Sequence, residues 1–118
     1  MIKKEYIDEI AKVSDINELI DYSTNSVVSK TLVEKNTGTI TLFAFDEGQG
    51  LSEHSAPFDA LVYVFDGEAE ISIAGAKHIL KAGQMLMMPA NVPHALKALK
   101  KYKMMLIMIK PTNILLKA

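Results

Sequence analysis

The hydrophobic pattern of this 118-residue chain changes its period near residue 25, and this change limits the folds open to it more than any other feature. Before the change, apolar residues recur at helical spacing, in a stripe that consists of Ile2, Tyr6, Ile10 and Val13. After it, the period is two, and turn signals recur about every 8–12 residues. No helix-length segment separates the short strands, which favours an all-β sandwich or small barrel over βαβ units. We predict a helical segment over residues 1–24 and a β-domain over residues 25–118.

Turn signals divide the β-domain into about seven to nine strands. Asn36, Thr37 and Gly38 separate a strand over residues 27–35 from one over residues 39–45. The pair Asp66-Gly67 is a strong hairpin signal and predicts separate strands over residues 61–65 and 68–74. In the helical segment, Asp15 and Glu18 have the spacing of a cap for a second short helix.

Residues 104–109 are apolar on both faces of the strand that they predict. Such a strand is covered by protein on both sides, or one of its faces meets a partner subunit. We therefore expect a homodimer.

The composition excludes several classes of function. The chain has no cysteine, so it forms no disulfide, thiolate metal site or cysteine nucleophile. Lys and Arg number 13 against 14 Asp and Glu, and this balance offers no basic field for nucleic acid. The N-terminus lacks the apolar core of a signal peptide, and residues 104–109 are far shorter than the roughly 18 residues of a membrane span. We expect a cytoplasmic protein with neither nucleic acid nor a membrane as a partner.

Two of the three histidines lie in frames defined by glycine and proline. The first frame consists of Gly48, His54 and Gly67, and the second of Gly83, Pro89 and His94. These spacings resemble the two motifs of the cupin superfamily, in particular its small, single-domain, conserved-barrel (RmlC-like) members. The resemblance spans about residues 48–98. It implies a double-stranded β-helix, the jelly-roll barrel, with a metal site inside its mouth. Asn91 stands where the second motif has glycine, and asparagine tolerates a positive φ.

The ligand set that the resemblance implies, three histidines and one glutamate, is incomplete here. His54 and His94 occupy two of its positions, whereas Ala56 and Ala60 stand in place of the second histidine and the glutamate. A transition metal normally takes three or more protein ligands. We therefore expect Zn, Ni, Fe or Mn to bind only weakly, unless Asp59, next to the lost glutamate, supplies a third ligand.

Three functions remain open. The first is a pocket that binds a small, partly apolar molecule, lined by His54, His94, Ala56, Ala60, Val62 and Met87. The second is an enzyme. It uses either a divalent ion on the two histidines plus a non-standard third ligand, in dioxygenase, isomerase or decarboxylase chemistry, or the histidines alone as acid and base. The third is a dimeric structural or interaction module with a degraded site. The loss of two donor ligands favours the first function, and the sequence identifies neither the ligand nor whether the protein is an enzyme.

Apart from Met1, the methionines lie in the last third of the chain, at positions 85, 87, 88, 104, 105 and 108. Their expected role is adaptable core packing, and the alternative is that some of them line a flexible apolar pocket. His78 follows the turn at Gly75, and we expect it at the surface.

Overall fold

The computed structural model describes residues 2–111, with Tyr6 and Glu9 described by their backbone alone. The end of the predicted β-domain, residues 112–118, lies outside the described residues. A helix, α1, spans Lys4–Ile10, and a 3₁₀ turn spans Ile16–Glu18. The strands are β1 Val27–Lys35, β2 Gly38–Phe45, β3 Gly50–His54, β4 Asp59–Ile73, β5 Ala76–Lys81, β6 Met85–Met88, β7 His94–Lys97 and β8 Tyr102–Ile109.

The strands form two layers that share the long strand β4. All of their pairings are antiparallel. The larger layer has the order β1-β2-β8-β4, and β6 pairs with the first half of β4. The smaller layer has the order β4-β7-β3, and β5 pairs with the second half of β4. The inner faces of both layers enclose one core, whose largest fully buried side chains include Phe45, Val62, Ile71, Tyr102 and Met104. This arrangement is the expected jelly-roll barrel, and it confirms the predicted all-β fold class.

The predicted hairpin at Asp66-Gly67 is wrong, because β4 runs through these residues without turning back. The pairing of β4 with β8 shifts between Val64 and Asp66, and Gly67 has a φ of 74°. A Cβ atom at Gly67 would lie 1.9 Å from the carbonyl oxygen of Lys101. The same glycine that favours a hairpin turn serves here as an irregularity where one strand passes from one layer to the other.

The 3₁₀ turn and the residues that follow it cover part of the outer face of the larger layer. Asp15 caps the turn by accepting a hydrogen bond from the backbone N–H of Asn17. Ile16, Leu19, Ile20 and Tyr22 then pack over a second apolar cluster formed by Leu42, Ala44 and Phe65. Tyr22 donates a hydrogen bond to Asp66 at 2.5 Å, and Lys103 Nζ donates one to the carbonyl of Asn17 at 2.7 Å. By contrast, Ile2, Ile10 and Val13 of the predicted helical stripe are exposed.

Both apolar faces of strand β8 pack against other parts of the protein. Tyr102, Met104, Leu106 and Met108 belong to or pack against the core between the layers. Met105 faces the second cluster beneath the N-terminal segment, and Ile109, on that same face, is exposed. None of the helices within residues 2–111 has the length and apolar character needed to cross a membrane.

Candidate functional site

A small cavity of about 50 Å³ lies between the two layers, at the end of the barrel where β3 ends and β4 begins. Its lining includes His54, Ala56, Ala60 and His94 of the predicted site. The remaining lining residues are apolar: Leu51, Phe58, Met88, Leu96, Met104, Leu106 and Met108. The two imidazoles are therefore the only side chains of the lining that form conventional hydrogen bonds.

Strand pairing brings the two histidines together. His54 ends β3 and lies opposite His94, which begins β7. The register shifts between Leu51 and His54, which is the sign of a β-bulge. Without this extra residue, strict alternation from Leu51 would turn Glu53 into the cavity and His54 outward. Because β3 is the edge strand and β7 lies between β3 and β4, His54 is exposed at the mouth and His94 is buried.

Both imidazoles make the same local contact. His54 Nδ1 lies 2.7 Å from the carbonyl oxygen of Ser52, and His94 Nδ1 lies 3.1 Å from that of Val92. A carbonyl oxygen only accepts hydrogen bonds, so each Nδ1 carries the hydrogen and donates it. This assigns a lone pair to Nε2 of each neutral ring.

The two Nε2 atoms are 3.1 Å apart, and the rings meet edge to face with a centroid separation of 4.3 Å. Two neutral rings would therefore direct two acceptors at one another. The pair is satisfied by one electron-poor partner: a shared proton, a hydrogen-bond donor of a ligand, or a cation. Holding one such partner is what this arrangement can do chemically.

The structure places two other predicted pocket residues away from the cavity. Met87 pairs with Leu61 on the outer face and is 44% exposed, so its prediction as a lining residue is corrected. Met88, one position later, pairs with Ala60 and lines the cavity instead. A shift of one residue along a strand exchanges its two faces. Val62 is on the inner face but lies in the fully buried core and does not contribute to the lining.

Asp59 is not brought beside the histidines. It immediately precedes the inward-facing Ala60, and its carboxylate accepts a hydrogen bond from the backbone N–H of Ala90 at 2.9 Å. Within residues 2–111, no group of three or more His, Cys, Asp or Glu side chains has the arrangement of a metal site. The imidazole and carboxylate ligand set that the resemblance implies therefore does not fit these residues.

A backbone hydrogen bond joins two loops beside the site. The N–H of Asn91 donates to the carbonyl of Ala56 at 2.8 Å, which ties the loop after β3 to the loop before β7. Asn91 has a φ of 63°, in the left-handed region, and it stands where the second motif has glycine. His78 lies on β5 and is exposed, as expected.

The three methionines of the lining were not predicted as site residues. Met104 and Met108 share the inward face of β8, and Met88 ends β6. The available signal was the alternation along residues 102–108, which places Met104 and Met108 on one face and Met105 on the other. Met88, Met104 and Met108 therefore line an apolar pocket, which was the alternative role considered for the methionines. Met85 and Met87 are exposed.

Comparisons with known proteins agree with this fold. Residues 41–110 match the family model described as the Cupin domain. A conserved protein of unknown function from Streptococcus pyogenes is 38% identical, with a TM-score of 0.83 over 86% of this chain and 90% of that one. A comparison with curated proteins gave no significant match.

Two further solved structures are similar. A cupin 2 conserved barrel domain protein from Leptotrichia buccalis is 41% identical, with a TM-score of 0.78 over 80% of this chain and 46% of that one. A cupin superfamily protein from Desulfitobacterium hafniense is 32% identical, with a TM-score of 0.77 over 80% of this chain and 86% of that one.

Proposed function

This chain belongs to the Cupin domain family, and within that family we propose that it binds a small, partly apolar molecule in the mouth of its barrel. The observation that carries the proposal is the facing pair of Nε2 atoms at 3.1 Å, at the one polar end of an apolar cavity. A molecule with a single polar group at one end and a short hydrocarbon body would place the polar group at the histidines and the hydrocarbon in the apolar part of the cavity.

The size of the cavity limits the ligand. Pockets for drug-sized ligands have volumes of about 300–1,000 Å³, and one water molecule needs about 10–15 Å³ of the same kind of volume. At about 50 Å³, the cavity has room for a molecule of a few heavy atoms or for one end of a longer molecule. Because Nδ1 of each ring is committed to a carbonyl, only the Nε2 atoms are free to contact the polar group.

Two kinds of polar group can form a hydrogen bond with an Nε2 atom of the pair. A hydroxyl group donates a hydrogen bond to one Nε2 while both rings are neutral. A carboxylate accepts hydrogen bonds once a ring carries a second proton. Short aliphatic alcohols and short aliphatic carboxylic acids are therefore the ligand classes to test first.

The experiment is a ligand-detected NMR screen of both classes against metal-free protein, followed by titration of the hits. We expect saturable binding to the wild type and its loss in His54→Ala. His78→Ala is the matched control, because it removes the third histidine from an exposed position on β5. Equal binding by all three proteins, or saturable binding by no compound of either class, would overturn the proposal.

The other functions have less support from the geometry. A divalent-metal enzyme with Asp59 as the third ligand has less support, because Asp59 and the two histidines do not form a group with the arrangement of a metal site within residues 2–111. Acid–base catalysis by the two histidines uses the same pair and would act on a molecule held in the same cavity, so the binding experiment precedes it. The cytoplasmic location, the absence of nucleic-acid and membrane partners, and the dimeric module stay predictions.

A further inference from the structure

Methionine side chains flank the position at which the site has lost its carboxylate. Ala60 on β4 is directly opposite Met88 on β6 and directly opposite Met108 on β8. Residues that pair in this way share one face of the sheet, with Cα atoms about 4.5–5.5 Å apart. Both methionines therefore border the same small volume as Ala60, and all three line the cavity.

We propose that this cavity is a binding site for a soft monovalent cation, Cu(I), held by the two histidines and by the thioethers of Met88 and Met108. This goes beyond the proposed function, since it concerns an inorganic ion and adds two thioether ligands to the histidines of the same cavity. Nothing in the ligand pocket proposal requires the methionines to be donors.

The chemistry of the lining supports a soft ion. Among residues 2–111, the only heteroatoms on the lining side chains are imidazole nitrogens and the thioether sulfurs of Met88, Met104 and Met108, and no carboxylate, amide or hydroxyl is among them. Hard cations such as Mg²⁺, Ca²⁺ and Mn²⁺ prefer oxygen ligands, whereas thioethers select Cu(I) among biological metals.

The charge of the donor set also favours a monovalent ion. Neutral imidazole and thioether carry no charge, so the full charge of the ion remains in the site. Met88 is 3% exposed and His94 is 6% exposed, whereas His54 is exposed at the mouth, so the ion would be shielded from water on its inner side. Placing one uncompensated charge there costs much less than placing two, because the solvation penalty rises with the square of the charge.

The imidazole geometry suits a ligand pair. Metal-bound histidines usually donate the other ring N–H to a carbonyl or carboxylate, and here both Nδ1 atoms donate to carbonyls. At a metal–imidazole distance of about 2.0–2.1 Å, an Nε2–Nε2 separation of 3.1 Å subtends an angle of about 100° at the ion. Such an angle leaves room at the ion for further ligands, and Met88 and Met108 line the same cavity as both histidines.

The test uses Ag(I) as a redox-inert probe and Cu(I) supplied without oxygen in competition with a chromogenic Cu(I) chelator. We expect one ion per wild-type chain. Met88→Leu/Met108→Leu keeps the side-chain volume nearly unchanged and removes both thioethers, so it should weaken binding by about tenfold or more. Met85→Leu/Met87→Leu is the matched control, because these residues are 56% and 44% exposed on the outer face. It should bind as the wild type does.

A second readout identifies the donors directly. With methyl-labelled methionine, Ag(I) should shift the resonances of Met88 and Met108 and leave those of Met85 and Met87 in place. The proposal is overturned if the wild type binds no Ag(I), if the Met88/Met108 variant binds as tightly as the wild type, or if both double variants lose affinity equally. If the wild type binds no ion but its metal-free form still binds a small molecule, this inference alone is overturned. If the wild type binds the ion but no small molecule, only the proposed function is overturned.

Discussion

His54 and His94 lie opposite each other on β3 and β7, with their Nε2 atoms 3.1 Å apart and each Nδ1 donating to the carbonyl two residues earlier in the chain. This symmetry places two lone pairs at the mouth of an otherwise apolar cavity. It is the basis of our proposal that the site binds a ligand although alanine occupies positions 56 and 60.

The two histidines should differ in their effect on stability. His54 is exposed, so His54→Ala should change the free energy of unfolding by no more than about 0.5 kcal/mol. His94 is 6% exposed, and His94→Ala leaves the carbonyl of Val92 without its donor, at a cost of about 1–3 kcal/mol. Urea unfolding of both variants measures this difference. Equal losses would contradict the assignment of His54 to the exposed edge.

Met87 and Met88 are adjacent in sequence and should respond very differently to alanine. Met88 is 3% exposed in the core, and Met88→Ala should cost about 2–5 kcal/mol. Met87 is 44% exposed, and Met87→Ala should stay within about 0.5 kcal/mol of the wild type. Thermal and urea unfolding of the pair tests the register of β6. The reverse ranking would mean that β6 is shifted by one residue.

Tyr102 should tolerate the loss of its hydroxyl but not of its ring. The ring is fully buried and stacks on Phe45 at a centroid distance of 4.6 Å, whereas its hydroxyl has no hydrogen-bond partner among the described residues. Tyr102→Phe should therefore be neutral or should stabilise the fold by about 1 kcal/mol. Tyr102→Ala should cost about 3–5 kcal/mol. A large loss in Tyr102→Phe would reveal a hydrogen bond that the hydroxyl makes in solution.

Stability should fall at alkaline pH, in part through Tyr22. Burial raises the pKa of this phenol above its ordinary value of 10.0, and the hydrogen bond to Asp66 and the charge of Asp66 raise it further. The folded protein thus favours the protonated phenol. Its contribution is fully present below about pH 10 and is lost as the pH rises toward the raised pKa.

The measurement is the free energy of unfolding between neutral and strongly alkaline pH for the wild type, Tyr22→Phe and Tyr102→Phe. Burial also raises the pKa of Tyr102, so both variants should lose less stability with pH than the wild type. The Nζ atoms of Lys101 and Lys103 lie 4.8 and 5.1 Å from the centre of the Tyr22 ring, and both lysines are common to all three proteins. Parallel curves would contradict the prediction.

The homodimer remains a prediction, and the outer face of the larger layer is where we expect it. Register places Met87, Leu61 and Ile107 side by side on that face, and Ile109 at its rim is 53% exposed. Sedimentation should show a dimer for the wild type and a monomer for Met87→Asp. Ile79→Asp is the matched control, since Ile79 is equally exposed on β5 of the other layer. If sedimentation shows the wild type to be monomeric at every concentration measured, the prediction of a homodimer is wrong.

Several features of the fold follow from local patterns. The two-residue period and its turns predicted the β-domain, and the strands over residues 27–35, 76–81 and 94–97 have the bounds expected from the sequence. The period and the turns are local signals, because the alternation of side chains and the positive φ of turn residues depend on a few neighbouring residues. By contrast, the expectation that His54 and His94 line one pocket came from the resemblance of their glycine and proline frames to the two cupin motifs.

Other features required the tertiary structure. The positive φ that Asp66-Gly67 favours occurs both in a hairpin turn and in a strand irregularity. Only the pairing of β4 with strands of both layers shows that it is a strand irregularity here. Positions 87 and 88 both carry methionine, so residue type does not show which of them faces inward. The pairing of Met88 with Ala60 of β4 places Met88 on the inner face.

The orientation of the imidazoles also depends on tertiary structure, since it follows from a bulge in β3 and from carbonyls that the loops place beside each Nδ1. Periodicity determines which residues share a face. Pairing between distant strands determines which of the two faces is buried, and thereby which side chains meet at the site.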